Sequence, residues 1–386
     1  MDSFLDIYQA SLNHYGEELC GDQVRVVKTP TATTIVLSDG LGSGVKANIL
    51  ATLTAEIIAN LLRQQVELRE VIDTVIRTLP VDPALGIAYA TFSILTLDHE
   101  DETFRLINFD NPDPFFVCGG RIQRLPVETH ELLGKSIRFS QGRLQMGDFL
   151  GLISDGVLYA GRGAAMNPGW DWDGVGAYLE AQFSGRVFTA HSVVNSVMAV
   201  TNRHYEFKPG DDATFVGVLR RQKQKLAVFT GPPLDTGFDY VPVERLLDFD
   251  GRKVICGGTT ANIVAAFLKT SVETDMSTAT SELPATGRLP GIDLVTEGIL
   301  TLAAALEELD RCEGKLERLQ PAHNGVYYLV RELLSADAIT FLVGQSVNPA
   351  YRNPLLPRNV SIRTYLVERI AGRLEQANKD VTIEYY

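Results

Sequence analysis

Residues 33–44 read TTIVLSDGLGSG, and the rest of the chain is best understood from this stretch. Thr33–Ser38 is compact and β-branched, the pattern of a buried strand. Asp39-Gly40-Leu41-Gly42-Ser43-Gly44 follows as a loop that glycine makes permissive. Ala47–Arg63 then carries Leu50, Leu53, Ile57 and Leu61 at helical spacing. A hydrophobic strand thus ends on a carboxylate and passes through glycine into a helix. Such a strand holds its own end rigidly, which is where a site needs precision.

The same punctuation recurs. Phe149–Ser154 is another buried strand and stops at Asp155-Gly156, while Asp211-Asp212 directly precede the strand Thr214–Leu219. Asp22 sits in a Gly-Asp pair just before Val24–Val27. Any one of these alone reads as an ordinary turn. Four strand ends bearing carboxylates would repel one another if they converged, and a divalent cation is the usual resolution. Oxygen ligands suit Mg²⁺ or Mn²⁺, and the lack of a Cys/His cluster argues against zinc. Two ions about 3.5–4 Å apart are suited to phosphate ester hydrolysis through an activated water, a reaction that needs up to ~10²¹-fold acceleration.

Around these motifs the first half alternates strands and helices. A second helical stretch covers Leu68–Leu79. Strands are expected at Ala88–Leu97, Phe104–Asn108, Pro114–Cys118 and Arg121–Leu125, and helices near Val175–Gln182 and Thr189–Asn202. Short strands joined by tight turns, with helices in pairs, favour antiparallel sheets covered by helices over a doubly wound parallel sheet. The basic run Arg220–Lys225 marks a change of composition, which places a domain boundary near residue 222 and divides the chain into 1–222 and 226–386. Beyond it, Leu226–Thr230, Arg252–Cys256, Ile292–Thr296 and Ala338–Val343 read as strands, and Val381–Tyr386 as a final one. Ala261–Lys269 and Ile362–Lys379 read as helices, and Ser271–Arg288 as a polar loop. Strand-loop-helix succession there indicates a smaller α/β domain.

A chain of 386 residues favours two domains, since single cores stop growing near about 250–300 residues. Hydrophobic residues at 45% and charged residues at 22% are ordinary for a folded protein. No apolar run is expected to reach the ~18 residues of a membrane span, and the acidic start lacks the order of a signal peptide; the expectation is a cytoplasmic protein without membrane partners. Cys20, Cys118, Cys256 and Cys312 form no CxxC pair, which fits a reducing compartment. A formal net charge of −13 repels nucleic acid.

Taken in order, Gly21-Asp22, DGLGSG at 39–44, SDG at 154–156 and GDDAT at 210–214 resemble the motif set of the PPM metal-dependent phosphatases, in the bacterial SpoIIE/RsbU branch. The resemblance covers roughly residues 10–220. It implies an α+β fold, an α-β-β-α sandwich of two antiparallel sheets flanked by paired helices, acting as a serine/threonine protein phosphatase with two Mn²⁺ or Mg²⁺ ions. By the same resemblance Asp39 bridges both metals, Gly40 lends its carbonyl to one, and Asp22 serves that one directly or through water. Asp155 and Asp211 hold the other, with Asp212 further out. The helices Val45–Arg63 and Leu68–Leu79 match a pair that acts as a switch in this branch. The implied partner is a phosphorylated protein, such as an anti-sigma-factor antagonist. Departures exist: no Lys or Arg precedes Arg25, and the loop at 108–114 reads NFDNPDP. Asp110 or Asp113 there is either an extra carboxylate or, more simply, part of a capped turn. His14 is the histidine nearest a motif and is able to donate a proton, although a surface position is the simpler expectation.

In the second half, Gly257-Gly258-Thr259-Thr260 lies between a strand and a helix. Backbone N–H groups at such a helix start attract anions, so a small anionic ligand is one reading and a tight capped turn the other. Glu297-Gly298 is expected at the same sheet edge. Two further functions compete with the phosphatase: a sensory or scaffold protein whose first half only binds, and a nucleotide-binding second half regulated by the first.

Overall fold

The computed structural model describes residues 3–78, 90–132, 134–161, 170–183, 188–281, 283–346 and 361–386. It contains two compact units, Met1–Gln222 and Lys223–Tyr386. In the first, the elements run β1 (Ser3–Leu12), β2 (Asp22–Lys28), β3 (Ala32–Gly40), α1 (Gly44–Arg63), α2 (Leu68–Thr78), β4 (Ala90–Asp98), β5 (Thr103–Phe109), β6 (Phe115–Cys118), β7 (Arg121–Gln123), β8 (Glu128–Leu132), β9 (Lys135–Arg143), β10 (Phe149–Ile153), α3 (Asp155–Tyr159), α4 (Trp172–Gln182), α5 (Ala190–His204) and β11 (Ala213–Gln222). They form a six-stranded sheet, β2-β3-β4-β5-β9-β8, and a five-stranded sheet, β1-β11-β10-β6-β7. Every strand pairing in both is antiparallel.

Alternation along the strands builds the layers. Ile35 and Leu37 of β3 face Leu150, Leu152, Val216 and Val218 in a core between the sheets. Val36, one residue out of phase, faces Ala55, Ile58, Val71, Ile72 and Val75 of α1 and α2. Phe149 and Phe215 turn the other way, onto Val175, Leu179, Val193 and Val197 of α4 and α5. The result is the expected helix–sheet–sheet–helix sandwich, with three apolar layers, each fully buried Ile, Leu or Val contributing about 1.5–3 kcal/mol.

Several local expectations need correction. α1, at 20 residues, is long and apolar enough by length and composition to cross a membrane. Its small-residue face, Ala47, Ala51, Ala55, Ile58 and Ala59, is fully buried in the unit, while Val45, Ile49 and Leu53 face outward. The basic run at 220–225 begins inside the strand expected to end at Leu219. β11 continues to Gln222, and Arg220 is 2% exposed with its Nη1 donating to Glu102 at 2.7 Å. β1, β8 and β9 were not expected; their mixed or exposed burial gives no clean period. Residues 79–89, which include the start of one expected strand, lie outside the described residues.

The second unit comprises β12 (Lys225–Thr230), α6 (Tyr240–Leu247), β13 (Arg252–Cys256), α7 (Gly258–Phe267), β14 (Glu273–Asp275), β15 (Thr286–Leu289), β16 (Ile292–Thr296), α8 (Ile299–Arg311), α9 (Gly325–Ser335), β17 (Ala338–Val343), α10 (Ile362–Gln376) and β18 (Asp380–Tyr385). The expected loop at 271–288 therefore holds β14 and the start of β15, an antiparallel pair at the sheet edge. The remaining strands are parallel in the order β16-β13-β12-β17-β18. That is the doubly wound order, whose ligand crevice normally opens between the first and fourth strands. Here that crevice is stitched. Gly344 N–H donates to Thr230 O at 2.9 Å, Ser346 N–H to Pro232 O at 3.1 Å, and Arg363 Nη1 to the carbonyls of Gly344 and Ser346.

Candidate active site

The register of β2 against β3 sets Asp22 directly opposite Asp39. Like charges so placed repel. Gly40 N–H donates to Gly21 O at 3.2 Å and closes the strand ends together. α1 then rises so close that a Cβ on Gly40 would lie 2.1 Å from Ala47 O. From the other sheet, β10 leads through Ser154 into α3 with Asp155 at its first position, and Asp211-Asp212 lead into β11. Ser154 N–H donates to Thr214 O, which keeps the two acidic ends side by side.

Asp39, Gly40, Asp155 and Asp211 line one cleft of about 550 Å³, together with His14, Ser43, Thr91, Asp110 and Asn111. No Lys or Arg lines it among the described residues. Asp22 and Asp212 stand behind this wall. Asp22 is 3% exposed; its Oδ2 accepts from Ser154 Oγ at 2.7 Å, and its Oδ1 is buried without a partner. Asp212 Oδ1 accepts from the His14 backbone N–H at 3.0 Å, and its Oδ2 is likewise orphaned. His14 is thus half-buried at the cleft, with Nδ1 unpartnered, and not a surface residue.

The electrostatics follow from burial and crowding. Burial, reinforced by Asp212 and Asp211, pushes the Asp22 carboxyl up to about 7 against the pull of Ser154. Asp39 is raised well above the ordinary range by burial and then by Asp22, Asp155, Asp211 and Asp212. Burial and Asp155 bring Asp211 up to about 6. The same field and burial raise the Tyr205 phenol, which donates to Gly156 O, and lift the Cys20 thiol to about 12.

This donor set fits divalent cations by charge, by hard oxygen chemistry and by its orphaned carboxylate oxygens. As the side chains stand, no three acidic, His or Cys groups among the described residues converge on one ion position. The turning of Asp22 onto Ser154 and of Asp212 onto the His14 amide accounts for two of them.

The loop at 108–114 is a braced turn. Asn111 Oδ1 accepts from Thr91 Oγ1 at 2.5 Å and its Nδ2 donates to Ser93 Oγ, Asn108 Nδ2 donates to Pro112 O, and Arg138 pairs with Asp113 and Asn111 O. Asp110, at φ +58°, reaches the cleft. Sequence reasoning passed over Ser154, although its place between a buried strand and Asp155 was a usable signal. In the second unit, α7 starts at Gly258 without a side-chain cap. The 600 Å³ cavity beside it is also lined by Glu297, which accepts from Leu300 N–H at the start of α8.

Comparison with known proteins adds a family match. The family model of stage II sporulation protein E (SpoIIE) matches residues 29–221, half of the chain, including Asp39, Asp155, Asp211 and Asp212 but not Asp22. Solved structures with similarity include the PP2C phosphatase domain with a regulatory fragment of SpoIIE from Bacillus subtilis, at 17% identity and a TM-score of 0.49 over 57% of this chain and 64% of that one. Others are the RsbU and RsbW domains of a Mycobacterium tuberculosis protein, at 17% identity and 0.47 over 56% and 60%, and the catalytic domain of the phosphatase PstP with two manganese ions, at 12% and 0.39 over 57% and 100%. The chain thus spans less than two thirds of the first of these structures. No curated protein matches it.

Proposed function

Since this chain belongs to the SpoIIE family of PP2C-type serine/threonine protein phosphatases, we propose that its acidic cleft hydrolyses phosphoserine or phosphothreonine on a partner protein of a bacterial signalling pathway. The observation that carries this reading is the gathering of Asp39, Asp155 and Asp211, from three separate elements, on one cleft lined by no Lys or Arg among the described residues. A phosphate cannot approach such a wall without cations between them.

Asp39, Asp155 and Asp211, with the Gly40 carbonyl, would hold Mn²⁺ or Mg²⁺, two ions in the reading adopted here, and Asp22 and Asp212 would support them from behind. Bound there, divalent ions neutralise phosphoryl charge and acidify water. Ser154 orients Asp22 through the 2.7 Å hydrogen bond to Oδ2, leaving Oδ1 available. The Thr91–Asn111–Ser93 chain fixes one wall of the cleft. His14 is one lining side chain that would pass a proton to the departing serine oxygen. An anti-sigma-factor antagonist is the proposed substrate class, on the family's precedent. For the second unit, an anion at Gly257–Thr260 is supported by the uncapped start of α7 and opposed by Glu297 on the same cavity.

The test is Mn²⁺- or Mg²⁺-dependent phosphate release from a phosphoseryl peptide. Asp39→Asn removes charge and little volume, so the chain should keep its circular dichroism while activity falls by more than about 100-fold, the loss that even residues behind metal ligands can cause. Equal activity in native and variant protein would refute the assignment.

A further inference from the structure

We propose that the groove between α6 and α7 of the second unit binds a lysine or arginine side chain carried on an apolar segment of a partner protein. The groove encloses about 510 Å³ and is lined by Asp239, Tyr240, Val243, Asn262, Ile263 and Phe267, among others. Asp239 is the one charged residue among the described residues lining it. It occupies the cap position of α6, yet its carboxylate caps nothing. Its Oδ1 is buried and has no hydrogen-bond partner. A carboxylate oxygen so placed calls for a donor, and leaving it unmatched is unfavourable. Arg245, the basic residue on the same helix, does not serve it; Nε and Nη2 of Arg245 donate to Glu384 at 3.2 and 2.8 Å.

The surroundings define the donor. Tyr240 and Phe267 are 46% and 44% exposed at the groove, and aromatic faces attract cations. A bare metal ion would want more oxygen ligands than one carboxylate supplies. In the adjoining chain, Leu234, Phe238 and Val241 are 67%, 57% and 37% exposed, and the Phe238 ring lies 6.4 Å from that of Tyr240. Single exposed apolar residues are ordinary, but a group of them beside a pocket marks an interaction surface. A free amine would leave these shoulders unused, whereas a basic residue flanked by leucine-like neighbours engages both.

This surface owes nothing to the acidic cleft, so its test is independent of phosphatase activity. Full-length protein is titrated against a fluorescein-tagged peptide carrying Leu-Lys-Leu, and against the same peptide with glutamate in place of lysine, by fluorescence polarisation. The lysine peptide should bind and the glutamate peptide should not. Asp239→Asn and Phe267→Ala should each weaken binding at least about tenfold, with circular dichroism and Tm unchanged. Equal binding of the two peptides, undiminished binding to Asp239→Asn, or no binding to the native chain at millimolar peptide would overturn the proposal. So would agmatine binding as tightly as the lysine peptide, which would assign the groove to a small amine.

Discussion

Ser154 shows how much the site depends on single atoms. Its Oγ donates to Asp22 Oδ2 at 2.7 Å and accepts from Thr214 N–H at 2.8 Å, so one hydroxyl joins a carboxylate from one sheet to the backbone of the other. Ser154→Ala leaves a buried carboxylate oxygen and a buried N–H without partners. We expect a loss of about 1–3 kcal/mol in urea unfolding of the metal-free chain, and an unchanged midpoint would contradict the role assigned to this hydroxyl. The acidic residues were legible because each adjoins an apolar strand, a pattern visible without coordinates. Which of them face the cleft was not. Asp22 and Asp212 differ from Asp39 and Asp211 only in where a side chain turns, and that is decided by Ser154 and by the His14 amide, residues remote in sequence. His14 likewise looked like a surface residue because nothing nearby in the chain reveals Asp212.

At the level of elements, period and length were the reliable guides. β13, β16 and β17 stand where their apolar runs predicted them, since parallel strands covered on both faces carry continuous hydrophobic sequence. β8 escaped notice because its side chains are mostly exposed. Arg220 lies beyond the expected end of its strand because charge usually means solvent, whereas here Glu102 accepts its guanidinium. The element with the tightest tolerance is α1. Its first turn presses on Gly40, and a methyl group there would stand 2.1 Å from the Ala47 carbonyl oxygen. Gly40→Ala must therefore displace either the end of β3 or the helix. Overpacking of this kind costs about 1–3 kcal/mol, and because Asp39 adjoins the point of contact, phosphate release should fall with Tm. A variant with native Tm and native turnover would show that α1 yields freely at this point.

Across the whole molecule, the crowded carboxylates set the pH dependence of stability. Asp22 at about 7 and Asp211 at about 6, with Asp39 also raised, hold protons in the folded chain that the unfolded chain releases near 3.8. The folded state therefore binds more protons through this window, and stability falls as pH rises from about 4 through about 7. Carboxylates held below their ordinary range, such as Glu56 beside Arg25 and Glu384 beside Arg245, lose their contribution only in more acidic solution. Metal-free protein should thus melt lower at pH 8 than at pH 5, by on the order of 5 °C. Mn²⁺ should reverse the difference by binding the deprotonated set. A flat melting profile in chelator, or one unaltered by Asp22→Asn, would count against the mutual repulsion.

The stitching of Gly231–Pro233 to Gly344–Ser346 by backbone bonds and Arg363 has its own consequence for the second unit. Folds of this strand order usually swallow a nucleotide through a mouth above the sheet. Here the chain leaving β12 and the chain leaving β17 are held together at that point, so a ligand entering between them must first part Pro232 from Ser346 and turn Arg363 away.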